Sequence, residues 1–508
     1  MDLKITNFDV STEQIYLEQV AESPLDIDFT LSDYEDDIKK ILACEIFPYI
    51  TEKHISGNAF TVESEVVVKV IYCTQNGDIY CTEQTLPFKK NFDSEKNLDN
   101  GCGDAKISAT VHSCRAVTER KISIRSTLKL EATVTLIEKN EIISDIDCDT
   151  FEQLKGEAFA TIPLGITQKN IIIDEEIVLS QNSPAAKRII RTDAVSNITD
   201  CKIVADKTIV KGNLKVTIFY CTEDNEYHKY SENIPFNQIV DIPGITEFCE
   251  CNASSTICGL NISARTSEEN EGRKFMLICK LEIKVLARCS NNIPVIYDLY
   301  STNCLATPKC SKVSFPKLVK QASETFLCKK SIKLPENEAC EILDIWCNCG
   351  KLNSKFKEKS VVLSGNILTY IMYVNSEGFP DFFEKSIDFE YPINLDEEVI
   401  SPKCYPEIII ADCDFDSLNS NEPELKLELI INSAIYDTYS YSVITELDVD
   451  ETVSVKNKAS LIAYYADKGE NVWKIAKHFS AKRSEILKLN HLSEETIPTE
   501  KMLLIPLM

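Results

Sequence analysis

The stretch VVVKVIYC at residues 66–73 returns twice along the chain, as LKVTIFYC at residues 214–221 and as ILTYIMYV at residues 367–374. Alternate residues in each stretch are β-branched, leucine or tyrosine. Alternation with a period of two in such residues is typical of a half-buried β-strand. The chain therefore contains three copies of one strand-forming segment.

Two further landmarks keep a fixed distance from the tyrosine of each copy. A phenylalanine follows the tyrosine and an apolar pair precedes it, each at the same separation in all three copies. These landmarks are Ile41-Leu42, Tyr72 and Phe88 in copy one, Ile189-Ile190, Tyr220 and Phe236 in copy two, and Ile342-Leu343, Tyr373 and Phe389 in copy three. Three landmarks held in register three times indicate a tandem duplication.

The local signals around these landmarks predict a strand-rich module. Asn76-Gly77 predicts a type I′ hairpin after the first strand, because both residues adopt positive φ at low cost. The charged stretch at residues 37–42 and its equivalents predict one short helix per copy, and linkers are expected near residues 150–175 and 300–330. We predict a mainly β protein with three tandem sandwich-like repeats at residues 1–150, 151–300 and 301–454, followed by a fourth domain at residues 455–508.

The charge of the chain limits the partners it can take. Its formal net charge is −26 over 508 residues. Nucleic acids and anionic membrane surfaces both require clustered Lys and Arg, so neither is an expected partner. No apolar run is long enough for a membrane helix, and the first residues lack the pattern of a secretory signal, so retention in the compartment of synthesis is expected.

Neither a catalytic nor a metal-binding pattern emerges from the chain. The five histidines are isolated, and no nucleophile-elbow, zincin or phosphate-loop motif is present. The 21 cysteines include two C-x-C pairs, Cys249/Cys251 and Cys347/Cys349, but no C-x-x-C. We therefore predict a non-enzymatic protein with reduced, mostly buried thiols, no metal and no cofactor.

The C-terminal stretch differs from the rest of the chain in charge and in pattern. Residues 461–508 carry seven basic and six acidic side chains, a net of +1 on an otherwise acidic chain. A short strand at residues 461–465 precedes Asn471, which is a good N-cap. Val472, Ile475, Ala476 and Phe479 then form one helical face. A second helix near residues 482–490 and a strand at residues 502–505 complete a predicted βααβ unit of the α+β class.

The repeats resemble a known domain. The I-Y-C…P-F hairpin and the preceding residues 37–42 are similar to the SPOCS domain of spore-coat-associated proteins from endospore-forming Firmicutes. Copies one and two fit well, whereas copy three is degenerate, with Val374 and Asp388 in place of Cys and Pro. The resemblance implies a non-enzymatic role in sporulation.

The tail resembles a LysM domain, a fold that binds peptidoglycan in many proteins. Residues 467–476 match the opening K-G-[DE]-[ST]-[LV]-W-x-I-A, with Asn471 in place of Ser or Thr. By this resemblance the groove for N-acetylglucosamine polymers would include Lys468, Gly469, Glu470, Asn471, Trp473, His491, Ile497 and Thr499. Trp473 is favoured as a core residue over a sugar platform.

Tandem SPOCS domains with a terminal LysM domain resemble SipL-type spore coat assembly proteins. The resemblance implies a scaffold in the mother-cell cytoplasm at the forespore surface, which binds the morphogenetic ATPase of the coat basal layer. Lys474, Lys477, Lys482 and Arg483 form a basic face that is either a simply solvated surface or a contact for an acidic protein. The alternative is a glycan-binding protein anchored to cortex peptidoglycan, and exposed sheet edges would also allow self-association.

Overall fold

A computed structural model describes residues 3–264, 272–335, 341–416, 424–455 and 460–507. About three quarters of these residues lie in antiparallel strands, which confirms the prediction of a mainly β protein built from repeated small sheets. Neither of the two short helices in this part of the chain has the length and apolar character needed to cross a membrane.

The strands form three units with the same element order, followed by a small C-terminal unit. Unit 1 contains β1 (Lys4–Thr30), β2 (Ile38–Ser56), β3 (Ala59–Thr74), β4 (Ile79–Asp93), β5 (Cys102–Thr118) and β6 (Lys121–Asp147). Unit 2 contains β7 (Phe151–Val178), β8 (Arg188–Val204), β9 (Lys207–Cys221), β10 (Tyr227–Asp241), β11 (Cys249–Ala264) and β12 (Lys274–Ser301). Unit 3 contains β13 (Cys304–Ser331), β14 (Glu341–Lys357), β15 (Ser360–Val374), β16 (Pro380–Asn394), β17 (Pro402–Asp416) and β18 (Glu424–Ser454). The C-terminal unit contains β19 (Leu461–Ala466), α1 (Val472–Phe479), α2 (Arg483–Leu489) and β20 (Lys501–Pro506).

Each of the three units is a sandwich of two three-stranded sheets. In unit 2 the orders are β10-β9-β8 and β11-β12-β7, and units 1 and 3 repeat them. The repeated octapeptides lie in the central strands β3, β9 and β15. Their alternate side chains, such as Leu214, Val216 and Ile218, pack against Leu277 and Leu281 of the opposite sheet. The core of each sandwich therefore follows from the period-two pattern in the sequence.

The hairpin after the central strand has the same loop in all three units, but it is not the predicted type I′ turn. In unit 1 the Thr74 carbonyl accepts from the Gly77 N–H at 3.1 Å, and the Thr74 N–H donates to Asp78 at 2.9 Å. Gly77 has φ +88°, and the equivalent Asn225 and Gly378 also have positive φ. This pattern is a type I turn followed by a left-handed residue, which needs only one position with positive φ.

The phenylalanine landmark lies opposite a residue without a large side chain. Phe236 pairs with Gly212, as Phe88 pairs with Ser64 and Phe389 with Gly365. The Phe236 ring covers Gly212 so closely that an added Cβ would lie 2.3 Å from the ring and 2.7 Å from the Asn197 carbonyl oxygen. The constant spacing from tyrosine to phenylalanine thus places the ring over a gap in the central strand.

Gly212→Ala is expected to lower the free energy of unfolding by about 1–3 kcal/mol, because the backbone oxygen of Asn197 cannot move away freely. Gly259→Ala is the matched control, since its added Cβ would meet only the Lys280 side chain at 3.6 Å. Urea unfolding of the two variants measures the difference, and equal midpoints would refute the close-packing argument.

The predicted short helix at residues 37–42 is wrong, because this segment begins β2. The register slips between Ile38 and Lys40 and again between Ile41 and Ala43, so two extra residues are inserted in the strand. The equivalent bulges in β8 and β14 fall at Ile190 and Leu343. Bulges interrupt the period of two and produce apolar spacings that resemble a helix.

The predicted linkers near residues 150–175 and 300–330 are also wrong. These residues form the long strands β7 and β13, and only three residues separate β6 from β7. The long strands of all three units extend beyond their sandwiches and pack together. Their shared core contains Val10 and Ile142 of unit 1, Ala158 and Val295 of unit 2, and Phe315 and Val443 of unit 3. The repeats are therefore packed around one another rather than strung on flexible connections.

A second shared core lies where the bulged strands of the three units meet. Equivalent residues converge there, including Leu42 and Ile190 at the bulges and Ile71, Phe219 and Met372 from the central strands. Each bulge thus turns its extra apolar residue out of its own sandwich toward the neighbouring units. This convergence of equivalent positions implies an approximate threefold arrangement of the units.

One position next to each bulge differs between the units and carries a buried ion pair. The equivalent residues are Ala43, Arg191 and Asp344, each paired with the central strand immediately after the bulge. Arg191 Nε lies 2.8 Å from Asp344 Oδ2, with side-chain exposures of 3% and 0%. The Arg191 guanidinium also stacks on the Trp346 ring at 4.5 Å. Each of the three units contributes a different residue here, which distinguishes unit 2 from unit 3 at the junction.

Glu45 lies beside this ion pair, and burial raises its pKa to about 7, with Asp193 adding to the effect and Arg191 opposing it. A carboxyl group whose pKa is raised on folding destabilises the folded protein as the pH rises. For Glu45 this loss develops between pH 4.5, its ordinary pKa, and about pH 7, its pKa in the folded chain. Glu45→Gln is therefore expected to stabilise the protein by up to about 3 kcal/mol at pH 8 and by less than about 1 kcal/mol at pH 5. Thermal unfolding at the two pH values measures this, and an equal gain at both would contradict it.

Candidate binding site

The C-terminal unit has a small core of its own around α1. Asn471 caps this helix, since its side-chain oxygen accepts from the Trp473 N–H at 2.8 Å. Val472, Ile475 and Ala476 are buried against the facing strand residues Leu503 and Ile505. The helix therefore begins where the sequence predicts it and buries the predicted face.

The structure brings the two predicted walls of the groove together. The loop before α1 and the loop before β20 pair through their backbones: Gly469 N–H donates to Ile497 at 2.8 Å, and Ile497 N–H donates to Glu470 at 2.9 Å. Ile497 is buried, whereas Lys468, His491 and Thr499 are exposed. Several backbone groups that border the predicted groove are thus already bonded, so a ligand there would depend on the exposed side chains.

Glu470 is held inside the C-terminal unit. Its carboxylate accepts from the Tyr464 hydroxyl at 3.0 Å and from the Asp467 N–H at 3.0 Å. These bonds fix the loop that carries Lys468 and Gly469, where Gly469 adopts φ +90°. Glu470 thus stabilises the conformation of the loop, and both of its carboxylate oxygens already accept hydrogen bonds.

The structure divides the predicted basic face into two parts. Lys474 is exposed, and Lys482 is the half-buried residue before α2. Lys477 Nζ instead lies 2.5 Å from Asp298 Oδ1 of unit 2. Arg483 lies over the Trp473 ring at 5.9 Å and pairs with Glu495 at 3.5 Å. Lys477 and Arg483 are therefore engaged within the chain, which leaves Lys474 as the most available cation of the four.

Trp473 faces unit 2 rather than the groove. Its Nε1–H donates to Asp298 Oδ2 at 2.9 Å, and its ring meets the Tyr300 ring edge-on at 5.0 Å. The Tyr300 hydroxyl donates to the Ala481 carbonyl at 2.8 Å in a buried position, and burial raises the pKa of Tyr300. Leu154 packs against the same cluster. We call Leu154, Asp298 and Tyr300 the docking surface of unit 2.

Strand register explains why the docking surface occurs on unit 2. The acidic Asp298 has acidic equivalents, Asp145 in unit 1 and Glu446 in unit 3, each just after the same bulge. Two residues further on, Tyr300 is replaced by Asp147 and Asp448. Only unit 2 therefore combines the carboxylate with an aromatic ring at these positions.

Sequence reasoning missed the docking surface. The repeats nevertheless contain a signal for it. When their last strands are aligned, residues 145–147, 298–300 and 446–448 read D-x-D, D-x-Y and E-x-D. The tyrosine is the exception in this comparison. A large apolar residue that replaces an acidic one in a single repeat indicates a contact that the other repeats lack.

A cleft of about 430 Å³ lies between units 2 and 3. Several of the charged side chains on its walls pair across the boundary: Lys215 with Asp412 at 2.5 Å, and Lys229 with Asp344 at 3.2 Å. These pairs fit a boundary between two units better than a site for a charged ligand. Within the described residues, no group of three or more His, Cys, Asp or Glu side chains is arranged to hold a metal ion.

Comparison with protein families gives one match. A family described as SipL, SPOCS domain matches residues 37–118 and 185–265, which together are about a third of the chain. The two ranges contain β2–β5 of unit 1 and β8–β11 of unit 2, the same four strands in each. The match identifies two SPOCS regions and indicates a sporulation-related protein.

Unit 3 and the C-terminal unit lie outside the two matched ranges. No curated protein and no solved structure matches the chain.

Proposed function

We propose that the chain is a non-enzymatic scaffold of endospore coat assembly, in which three packed sandwich units carry a LysM-like binding unit. The observation that supports this most is the SPOCS match in two units of identical topology. The shared cores between the units support it as well, because they give a rigid platform of fixed order. A rigid platform presents a small binding unit in one orientation.

The C-terminal unit is the proposed adaptor for the morphogenetic ATPase of the coat basal layer. Two features of the site favour a protein partner over a glycan. The backbone groups between the two groove loops are largely bonded to each other. Lys474 projects from α1 into solvent on a unit that is close to neutral, whereas the rest of the chain is strongly acidic. An acidic protein surface would be repelled by most of the scaffold and attracted here.

Binding of the full-length chain to the purified coat ATPase tests this adaptor role. Lys474→Glu is expected to weaken binding about threefold to tenfold, as reversal of one exposed charge allows. Lys312→Glu, an exposed lysine of unit 3, is the matched control and should bind as the wild type does. Titration by interferometry measures both, and equal affinities would exclude Lys474 from the contact.

The alternative is that the groove binds N-acetylglucosamine polymers of the cortex. The exposed Lys468, His491 and Thr499 side chains would then contact the glycan. Sedimentation of the full-length chain with purified peptidoglycan, in the absence of the ATPase, distinguishes the two functions. Pelleting that is lost in a His491→Ala and Thr499→Ala double variant would favour the glycan function.

The location of the protein tests the wider proposal. A fluorescent fusion imaged during sporulation is expected to form a ring at the forespore surface on the mother-cell side. Diffuse fluorescence throughout sporulation would contradict a role in coat assembly.

A further inference from the structure

Each sandwich unit brings two cysteines from different sheets together at one edge. The edge strands that face each other there are β2 and β5, β8 and β11, and β14 and β17, and in every case the two belong to separate sheets. The cysteine pairs are Cys44 and Cys114 in unit 1, Cys201 and Cys251 in unit 2, and Cys347 and Cys413 in unit 3. The pairs occur at different points along these strands, yet each unit has one.

The geometry of the unit 3 pair is close to that of a bond. In unit 3 the two sulfur atoms, Cys347 Sγ and Cys413 Sγ, are 3.2 Å apart, about 1 Å more than a disulfide requires. In units 1 and 2 the paired cysteines lie on edge strands that contact each other, β2 with β5 and β8 with β11. Both members of each pair line the core of their own sandwich. Closure of the unit 3 bond therefore requires only a small movement of the side chains.

One thiol of each pair is the better nucleophile. The Cys201 thiol donates to the Cys251 sulfur, which lowers the pKa of Cys251 to about 7. The pKa values of Cys114 and Cys347 are lowered in the same way by Cys44 and Cys413. A lower pKa provides thiolate near neutral pH, and the thiolate is the species that attacks a disulfide.

We propose that these three pairs are disulfide-forming sites that join the two sheets of every unit when the chain meets a low-molecular-weight disulfide. The thiolate of one cysteine attacks the small disulfide and displaces one small thiol, which leaves a mixed disulfide. The second cysteine, as its thiolate, attacks the protein sulfur of that mixed disulfide and displaces the second small thiol. In total one S–S bond forms in the protein, one is reduced in the small molecule, and the two thiol protons pass to the two small thiols.

The position of the pairs gives the reaction a structural effect. No backbone ladder joins β14 to β17, nor β8 to β11, because each strand belongs to a different sheet. A disulfide at this edge is a covalent link across a gap that side-chain packing alone otherwise spans. It closes a long loop of the chain, which restricts the unfolded state strongly. Cys249 faces Cys289 within one sheet, so a bond there would not join two sheets.

The experiment incubates the reduced, full-length chain with glutathione disulfide, blocks remaining thiols with N-ethylmaleimide and maps the linked peptides by mass spectrometry. The expected result is three cross-linked peptide pairs within one chain and a rise of several degrees in the unfolding midpoint. If N-ethylmaleimide still labels these six cysteines after the oxidation, they have formed no disulfide and the proposal is overturned. Links confined to the exposed Cys310 and Cys349 would overturn it as well.

Two variants localise the effect. Cys413→Ala is expected to abolish the unit 3 link, to retain the other two and to reduce the gain in midpoint. Cys310→Ala, which alters an exposed cysteine, should retain all three links. Peptide mapping of the wild-type chain detects the three links whether or not Cys413→Ala folds.

Discussion

Replacement of Asp344 by alanine is expected to lower the free energy of unfolding by about 3–5 kcal/mol, more than any other single change in the junction of the three units. The Arg191 guanidinium stays buried in this variant. Its Nε loses the Asp344 carboxylate, which lies 2.8 Å away in the wild type. Lys229 loses the same partner. The guanidinium then keeps the longer, partly exposed contact with Asp193 at 3.6 Å. A buried charge that loses its closest counter-charge is costly because the protein interior cannot replace its hydration. Chemical unfolding followed by circular dichroism measures the loss.

Two comparisons isolate the effect of burial. Glu446→Ala removes a carboxylate that pairs with Lys309 at 2.7 Å, but both side chains are more than half exposed, so a cost below about 1 kcal/mol is expected. The double variant Arg191→Met with Asp344→Leu removes both charges and should recover most of the stability. If Asp344→Ala costs no more than Glu446→Ala, the ion pair does not hold the junction.

The strands and their repetition could be predicted from the sequence because they depend on local pattern. Alternation along residues 66–73 and its two equivalents reports which side chains face a core, and that information is contained in a few consecutive residues. The repeated spacing then made the three-unit architecture visible without any long-range contact. The N-cap at Asn471 was predictable for the same reason, since capping joins residues only two apart.

The failed predictions concern places where one residue departs from the local pattern for a distant reason. The segment at residues 37–42 looks helical because its bulges insert Lys39 and Leu42, and Leu42 serves a core formed with the other units. The expected linkers are strands because β7 and β13 pair with β12 and β18, which lie far away along the chain. No window of sequence contains both partners of such a pair.

The three units differ at two sets of equivalent positions, one at the junction between the units and one at the contact of unit 2 with the C-terminal unit. Equivalent positions hold Ala43, Arg191 and Asp344 at the bulge junction, and Asp147, Tyr300 and Asp448 at the ends of the long strands. The sandwich cores, in contrast, keep the same pattern. Identical copies could associate in any order or with other chains. These differences favour one order of the units and one docking position for the C-terminal unit.

The docking surface of unit 2 leads to the second large effect. Tyr300→Asp gives unit 2 the residue that units 1 and 3 have at this position. It is expected to reduce the equilibrium constant for docking of the C-terminal unit on unit 2 about 100- to 1,000-fold. The change removes the Tyr300 bond to the Ala481 carbonyl and the ring contact with Trp473. It also places a second carboxylate near Asp298, whose carboxylate already pairs with Lys477.

Hydrogen exchange of the full-length chain measures the release, which should appear as faster exchange in the backbone amides of α1 and α2. The strands of units 1 and 3 should exchange as in the wild type, because the substitution does not touch them. Tyr300→Phe is the matched control: it keeps the ring and loses only the bond to Ala481, so a loss of about tenfold is expected. Unchanged exchange in Tyr300→Asp would mean that the C-terminal unit is held by other contacts, and the orientation of the proposed adaptor would then not depend on unit 2.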